Sequence, residues 1–207
     1  VNVLAEFNPV VPENYRSPNV IMLGNLDPIV QLKLMGQIDN TPTITILDTM
    51  NFWMDSALED LKKVIAKVDV ITINDEEARQ LSGEYSLVTA AQKISAMGPR
   101  FVVIKKGEHG ALLFEDDKVF FAPALPLEEV FDPTGAGDTF AGGFAGYLTS
   151  TGDLSFENMK RAIIHGSNLA SFCVEKFGTE RMQNLKPEEI EKRLLKFKAL
   201  TQFNLDL

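Results

Sequence analysis

Histidine and cysteine are scarce in this sequence of 207 residues, with two of the first and one of the second. The single cysteine, Cys173, excludes an internal disulfide and a cysteine metal cluster. It fits a reducing, cytoplasmic setting. No apolar run is long enough to span a membrane as a helix. The first residues lack the basic region followed by an apolar stretch that marks a signal peptide. Positive charge is also in short supply: Lys+Arg 20 against Asp+Glu 29 gives a formal net charge of -9. An acidic surface repels phosphate backbones, which argues against general nucleic-acid binding but leaves room for a local basic spot that holds one nucleotide. The Walker A pattern G-x-x-x-x-G-K-[ST] is absent, as is a dinucleotide fingerprint. So are internal repeats and low-complexity tracts.

What is present is ordinary for a domain with a substantial core: 45% hydrophobic and 24% charged residues. Apolar runs of strand length alternate with segments of helical period. The strand candidates are Ile21–Leu23, Thr43–Asp48, Val68–Ile73, Phe101–Lys105, Ala111–Phe114 and Val119–Ala122. Helical segments separate the first four, which predicts an α/β fold with a mainly parallel sheet flanked by helices, in three Rossmann-type layers. The last two are joined by Glu115-Asp116-Asp117-Lys118 and predict an antiparallel hairpin near the sheet edge. Val1–Phe7 also reads as strand, as if the numbering begins inside a fold. Ser56 with Glu59 predicts a capping box, ahead of an apolar face formed by Leu58, Leu61, Ile65 and Val68. Ser155 predicts the cap of a long helix that Gly178 is placed to end. Pro187 predicts the first turn of a last helix with Ile190, Leu194 and Phe197 on one face.

The most informative stretch is Asp132-Pro133-Thr134-Gly135-Ala136-Gly137-Asp138-Thr139-Phe140-Ala141-Gly142-Gly143. A turn of small residues entering a helix presents free N–H groups and the positive end of the helix dipole, which together suit an anion. A carboxylate at that rim, Asp138, is explained by a task such as taking a proton from an attacking hydroxyl. In isolation, Gly-x-Gly-Asp would read as a helix start whose aspartate merely favours the dipole. The match is much longer, and it resembles the C-terminal signature of the ribokinase-like (PfkB-type) carbohydrate kinases. That resemblance implies Asp138 as the catalytic base and Gly135-Ala136-Gly137 as the anion hole, with ATP as phosphoryl donor.

Further segments are similar to the same family. Asn74-Asp75-Glu76-Glu77 follows an apolar strand. By pattern alone it is a capping box; the resemblance adds that Asn74 and Glu77 help place Mg2+, usually through water. Lys105-Lys106-Gly107-Glu108-His109-Gly110 follows a strand and resembles the family's segment lining the nucleotide. It implies Lys105, Gly107 and Gly110 in cofactor binding, while Lys106 and His109 read as surface residues. Thr134 joins that nucleotide set. Asn168 and Ser171 lie three apart on the long helix and would flank adenine; ordinary polar positions on a packed helix are an equal reading. Many relatives hold a monovalent cation, which places a K+ candidate at Asp132 and Thr134. Asp48-Thr49-Met50-Asn51, at a strand end, resembles the family's Asp-x-x-Asn segment, either facing ligand or supporting the crevice. Cys173, Trp53 and the methionines read as packing residues.

The resemblance runs from about Val1 to Phe197 and implies a single kinase domain over residues 1–207, truncated on its N-terminal side. The upstream Gly-Gly signature, much of the acceptor pocket and the β-sheet lid have no counterpart. Such a fragment would expose apolar surface or pair with a second copy as a homodimer. Two functions follow: a kinase acting on a sugar or, alternatively, a nucleoside hydroxyl, and a non-catalytic nucleotide-binding protein on the same fold. A pyridoxal-type kinase ranks lower, because its glycine motif differs.

Overall fold

Continuous apolar runs become strands buried on both faces, as a helix-covered parallel sheet requires. The computed structural model describes residues 4, 7–202 and 204. In chain order it contains β1 (Val20–Leu23), α1 (Pro28–Met35), β2 (Ile44–Asp48), α2 (Asn51–Ser56), α3 (Leu58–Ile65), β3 (Val70–Asn74), α4 (Asp75–Ser82), α5 (Leu87–Ser95) and β4 (Phe101–Lys105). Then follow β5 (Ala111–Glu115), β6 (Lys118–Ala122), α6 (Ala136–Thr151), α7 (Phe156–Cys173), α8 (Glu180–Gln183) and α9 (Pro187–Thr201). The six strands form a sheet in the order β1-β2-β3-β4-β5-β6. β1 pairs parallel with β2, and β2 with β3. The sheet is the mainly parallel, helix-flanked one expected. The strand expected at Val1–Phe7 lies largely outside the described residues; of Leu4 and Phe7, which are described, Phe7 N–H donates to the Leu4 carbonyl at 3.2 Å.

The chain divides into two compact units, Val1–Ile104 with Phe114–Lys118, and Lys105–Leu113 with Val119–Leu207. In the first unit, all five residues of β2 are buried, and so are Val70–Ile73 of β3. Each fully buried Val, Ile or Leu there contributes roughly 1.5–3 kcal/mol. The Asp69 carboxylate accepts the Thr45 N–H at 2.7 Å, and Asp69 N–H donates to the Thr45 carbonyl, which fixes the entry into β3. β3 therefore begins at Val70, because Val68 N–H still bonds back to the Ile65 carbonyl at 3.4 Å. The capping box expected at Ser56 does not form. Ser56 is the last residue of α2, and its hydroxyl donates to the Phe52 carbonyl at 2.6 Å, so α3 starts from Ala57 without a side-chain cap. Leu61, Ile65 and Val68 are buried as expected, and Val64 joins them. Burial alone would raise the pKa of Glu115, but hydrogen bonds from Lys118 and Arg100 overcome it and hold the carboxyl below its usual range.

In the second unit, α6 packs along α7. A Cβ on Gly166 would stand 2.7 Å from the Phe140 carbonyl oxygen, and one on Gly143 2.9 Å from Leu169 Cδ1. These two glycines set the close approach, whereas Gly142 and Gly146 face open space. Ser155 caps α7 as expected, accepting the Asn158 N–H at 3.2 Å. α7 ends at Cys173 with Val174 as its C-cap, so Gly178 lies beyond it in the turn towards α8. α9 starts at Pro187 and buries Phe197.

Candidate active site

The site is built on the start of α6. The Asp132 carboxylate accepts the Thr134 N–H at 2.9 Å, and Ala136 N–H donates to the Pro133 carbonyl at 3.1 Å, so residues 132–136 form a tight turn. Gly135 sits at the N-cap position with φ 81 and ψ 0. A side chain in that left-handed conformation costs about 1–2 kcal/mol. Glycine also brings no oxygen to cap the helix. Thr139 N–H is the first to bond back, to the Gly135 carbonyl at 2.9 Å. The Gly137 and Asp138 N–H groups are thus left by the helix to an outside acceptor. Asp138 itself is exposed in the first turn. From α7, Cys173 Sγ lies 3.7 Å from the Thr134 carbonyl oxygen and backs the turn. Hydrogen bonds from the Thr134 N–H and hydroxyl, and from the Gly178 N–H, hold the Asp132 carboxyl below the usual carboxylate range.

β4 delivers a cation to this turn. Lys105 ends the strand, and its Nζ lies 3.6 Å from where a Cβ on Gly137 would stand. An ammonium beside open N–H groups and a helix dipole makes a compact anion-binding end. The chain then reverses, with Lys106 N–H donating to the Gly110 carbonyl at 2.7 Å. Gly110 has φ 85, and a Cβ there would meet the Ala122 carbonyl oxygen at 2.0 Å, so no other residue fits. A cavity of about 690 Å³ opens here. Lys105, Gly107, Gly110, Ala136 and Gly137 line it, with Ala124, Leu125, Pro126, Leu127 and Val130 supplying an apolar wall. Size and lining suit a small organic ligand held by a few polar groups. His109, read from sequence as a surface residue, is exposed but also lines the rim.

Another wall comes from α7, through Ser167, Ala170, Ser171 and Val174, which recur at helical spacing on one face. Ser171 is where the sequence placed it. Asn168 is not part of this lining: it is fully buried and its Nδ2 donates to the Ile190 carbonyl at 3.0 Å, which anchors α9. Thr134 and Gly135 are not among the lining residues and belong to the turn itself. Sequence reasoning missed Arg193 of α9. It donates from Nη1 to Ser171 Oγ at 3.1 Å, pairs through Nη2 with Glu175, and lies with its guanidinium carbon 3.4 Å from the Phe172 ring centroid. Arg181 pairs with the same Glu175 and with Glu189. No short-range pattern announces contacts 18 to 22 residues apart. The apolar wall at 124–130 was missed for a similar reason, since it has no regular period.

In the first unit, Asn74 and Glu77 close on each other. Asn74 Oδ1 accepts the Glu77 N–H, and Glu77 Oε2 accepts the Asn74 N–H, each at 2.8 Å. This is the capping box read from the sequence. Asp48 and Thr49 are buried at the end of β2, and Trp53 is half-buried, its Nε1 donating to Asn25 Oδ1 at 2.7 Å.

Residues 33–185 match the pfkB family carbohydrate kinases. The chain belongs to that family. A cytidine kinase of Thermococcus kodakarensis is 34% identical over 141 residues, which is 66% of this chain and 50% of that protein. A ribokinase of Thermotoga maritima superposes with a TM-score of 0.69 and 26% identity, covering 86% of this chain and 57% of that one. A nucleoside kinase of Methanocaldococcus jannaschii has a TM-score of 0.71 at 22% identity, covering 92% and 59%. The chain thus spans about half to three-fifths of these family members.

Family members use ATP, and the oxygen donors of this chain can be weighed for the cations that go with it. Asn74 and Glu77 offer hard oxygens in fixed orientation but too few for an all-protein cage, which fits Mg2+ held through water. Among the described residues no cluster of three or more His, Cys, Asp or Glu could hold a metal directly. No helix of the described residues is long and apolar enough to cross a membrane.

Proposed function

We propose that this chain carries the nucleotide-binding and base-bearing part of a kinase that transfers the γ-phosphoryl group of ATP to a hydroxyl of a sugar or nucleoside. The observation that carries this reading is the Lys105 ammonium set beside Gly137 at the uncapped start of α6, on the wall of a cavity otherwise largely apolar. The Gly135-Ala136-Gly137 turn, through the N–H groups that α6 leaves open, would take the phosphate oxygens and stabilise negative charge that grows during transfer. Lys105 adds a positive charge, Gly107 leaves its part of the lining free of a side chain, and Gly110 lets the turn close on the Ala122 backbone. Asp138 would accept the proton of the attacking hydroxyl, which needs an exposed carboxylate close to the phosphate end. Mg2+, when bound, neutralises phosphate charge; Asn74 and Glu77 would hold it through water. Asp132 and Thr134 would hold a monovalent cation such as K+, and the charge that Asp132 keeps to low pH favours this.

The similarity to a cytidine kinase favours a nucleoside as acceptor over a free sugar. A panel of sugars and nucleosides separates the two. The catalytic assignment is tested with Asp138→Asn. Phosphoryl transfer should fall by roughly 10²–10⁴-fold while ATP binding persists. Turnover at the level of the unsubstituted protein would sink the base assignment. Binding without transfer to any acceptor in either protein would favour a non-catalytic nucleotide-binding role.

A further inference from the structure

The segment that ends α7 carries the turn at Gly135 on its backbone. The Val174 carbonyl accepts two N–H groups, from Phe131 at 2.8 Å and from Asp132 at 3.3 Å. Cys173 Sγ reaches the Thr134 carbonyl at 3.7 Å. Gly178 N–H donates to the Asp132 carboxylate. The chain that enters the turn is therefore placed by residues 173–178. Val174 is the C-cap of α7, beyond which the regular helix bonds stop.

A cluster of charge from α8 and α9 closes on this segment. Glu175, the residue after Val174, accepts Arg181 Nε at 2.9 Å and also Arg193 Nη2. Arg181 Nη2 donates in addition to Glu189 Oε1 at 2.5 Å, and Arg193 Nη1 to Ser171 Oγ at 3.1 Å. Both guanidinium groups lie against the Phe172 ring, 4.9 and 3.4 Å from its centroid. The two arginine side chains are 18 and 13% exposed, so solvent and salt screen these pairs little. α9 has other anchors in the buried Phe197 and in the Ile190 carbonyl that Asn168 holds. The cluster converges instead on the neighbour of the carbonyl from which the turn hangs.

We infer that Glu175, clamped by Arg181 and Arg193, is a positioning residue for the phosphate-binding turn, so that α8 and α9 set the affinity of a cavity they do not line. The inference rests on the reading of that turn as the phosphate site. Without the clamp, residues 174–178 shift, and the Gly137 and Asp138 N–H groups lose their common direction. An effect relayed through such contacts is moderate in size. It falls on the phosphate end of a ligand.

The test is magnesium-free calorimetric binding of ATP and of inorganic tripolyphosphate to the full chain, Glu175→Gln, Arg193→Met and Ile163→Ala, with folding of each checked by circular dichroism. Tripolyphosphate carries the phosphate end and no base. Ile163 is buried in α7 and is not a member of the cluster, so Ile163→Ala supplies a loss of stability alone. Glu175→Gln should weaken both ligands about tenfold, and Arg193→Met, in which Arg181 still holds Glu175, about threefold. Ile163→Ala should bind both within about twofold of the unsubstituted chain. A loss for ATP that tripolyphosphate does not share, unchanged affinities in the cluster variants, or an equal loss in Ile163→Ala would overturn the inference and leave the phosphate site standing. If Glu175→Gln does not fold, Arg193→Met set against Ile163→Ala decides by the same criteria. Failure of the unsubstituted chain to bind tripolyphosphate would overturn the inference, and failure to bind ATP as well would overturn the reading beneath it.

Discussion

Two helix starts in this chain differ in what they do with their N–H groups. α4 begins at Asn74, whose side chain takes the Glu77 N–H while Glu77 returns the favour. It is closed by its own residues. α6 begins at Gly135, which has no side chain to offer; its first turn carries Asp138 exposed, and the Lys105 ammonium lies beside Gly137. Both ends carry the same dipole. A capped end has its first N–H groups taken within the fold, whereas an end with no capping side chain leaves them to an outside acceptor.

The contrast breaks most sharply at Gly135. Gly135→Ala forces a side chain into φ 81, at a cost of about 1–2 kcal/mol. Relief of that strain would turn the N–H groups away, and ATP affinity should fall roughly 5- to 30-fold in a calorimetric titration. Lys105→Met removes the cation and leaves the turn. Its effect should be about tenfold on ATP affinity. Asn74→Ala should behave in the opposite way, lowering stability by about 1 kcal/mol and Tm by roughly 2–4 °C, without changing ATP affinity in the absence of magnesium. The smallest effect concerns another self-satisfied charge of the same unit. Glu115, paired with Arg100 and Lys118, has a folded pKa below its ordinary 4.5. Its contribution is therefore full above the unfolded value and is lost as pH falls through the folded one. Urea unfolding followed from neutral pH down through the carboxylate range should show less acid loss in Glu115→Gln.

Much of this was legible in the chain. Phe101–Lys105 was read with the bounds the structure gives, and the other strands agree to within two residues; β2, β3 and β4, buried on both faces, leave unbroken apolar runs. The turn at Gly135 was legible because only glycine suits its conformation. What was not legible depends on competition or distance. Ser56 had two carbonyl and N–H partners within reach, and the Phe52 carbonyl won. Asn168 and Ser171 are both polar and three apart, yet one anchors α9 and the other lines the cavity. That division is set by α9, whose position no local pattern reports. Arg193 was invisible for the same reason.

The account turns on the claim that the open end of α6, and not the closed end of α4, takes the phosphate. Magnesium-free ATP titration of the unsubstituted chain, Gly135→Ala and Asn74→Ala, in one calorimetric series, tests it directly. The account predicts that Asn74→Ala binds as the unsubstituted chain does, within about twofold, and that Gly135→Ala loses about 5- to 30-fold. Retained affinity in Gly135→Ala together with a loss in Asn74→Ala would contradict it.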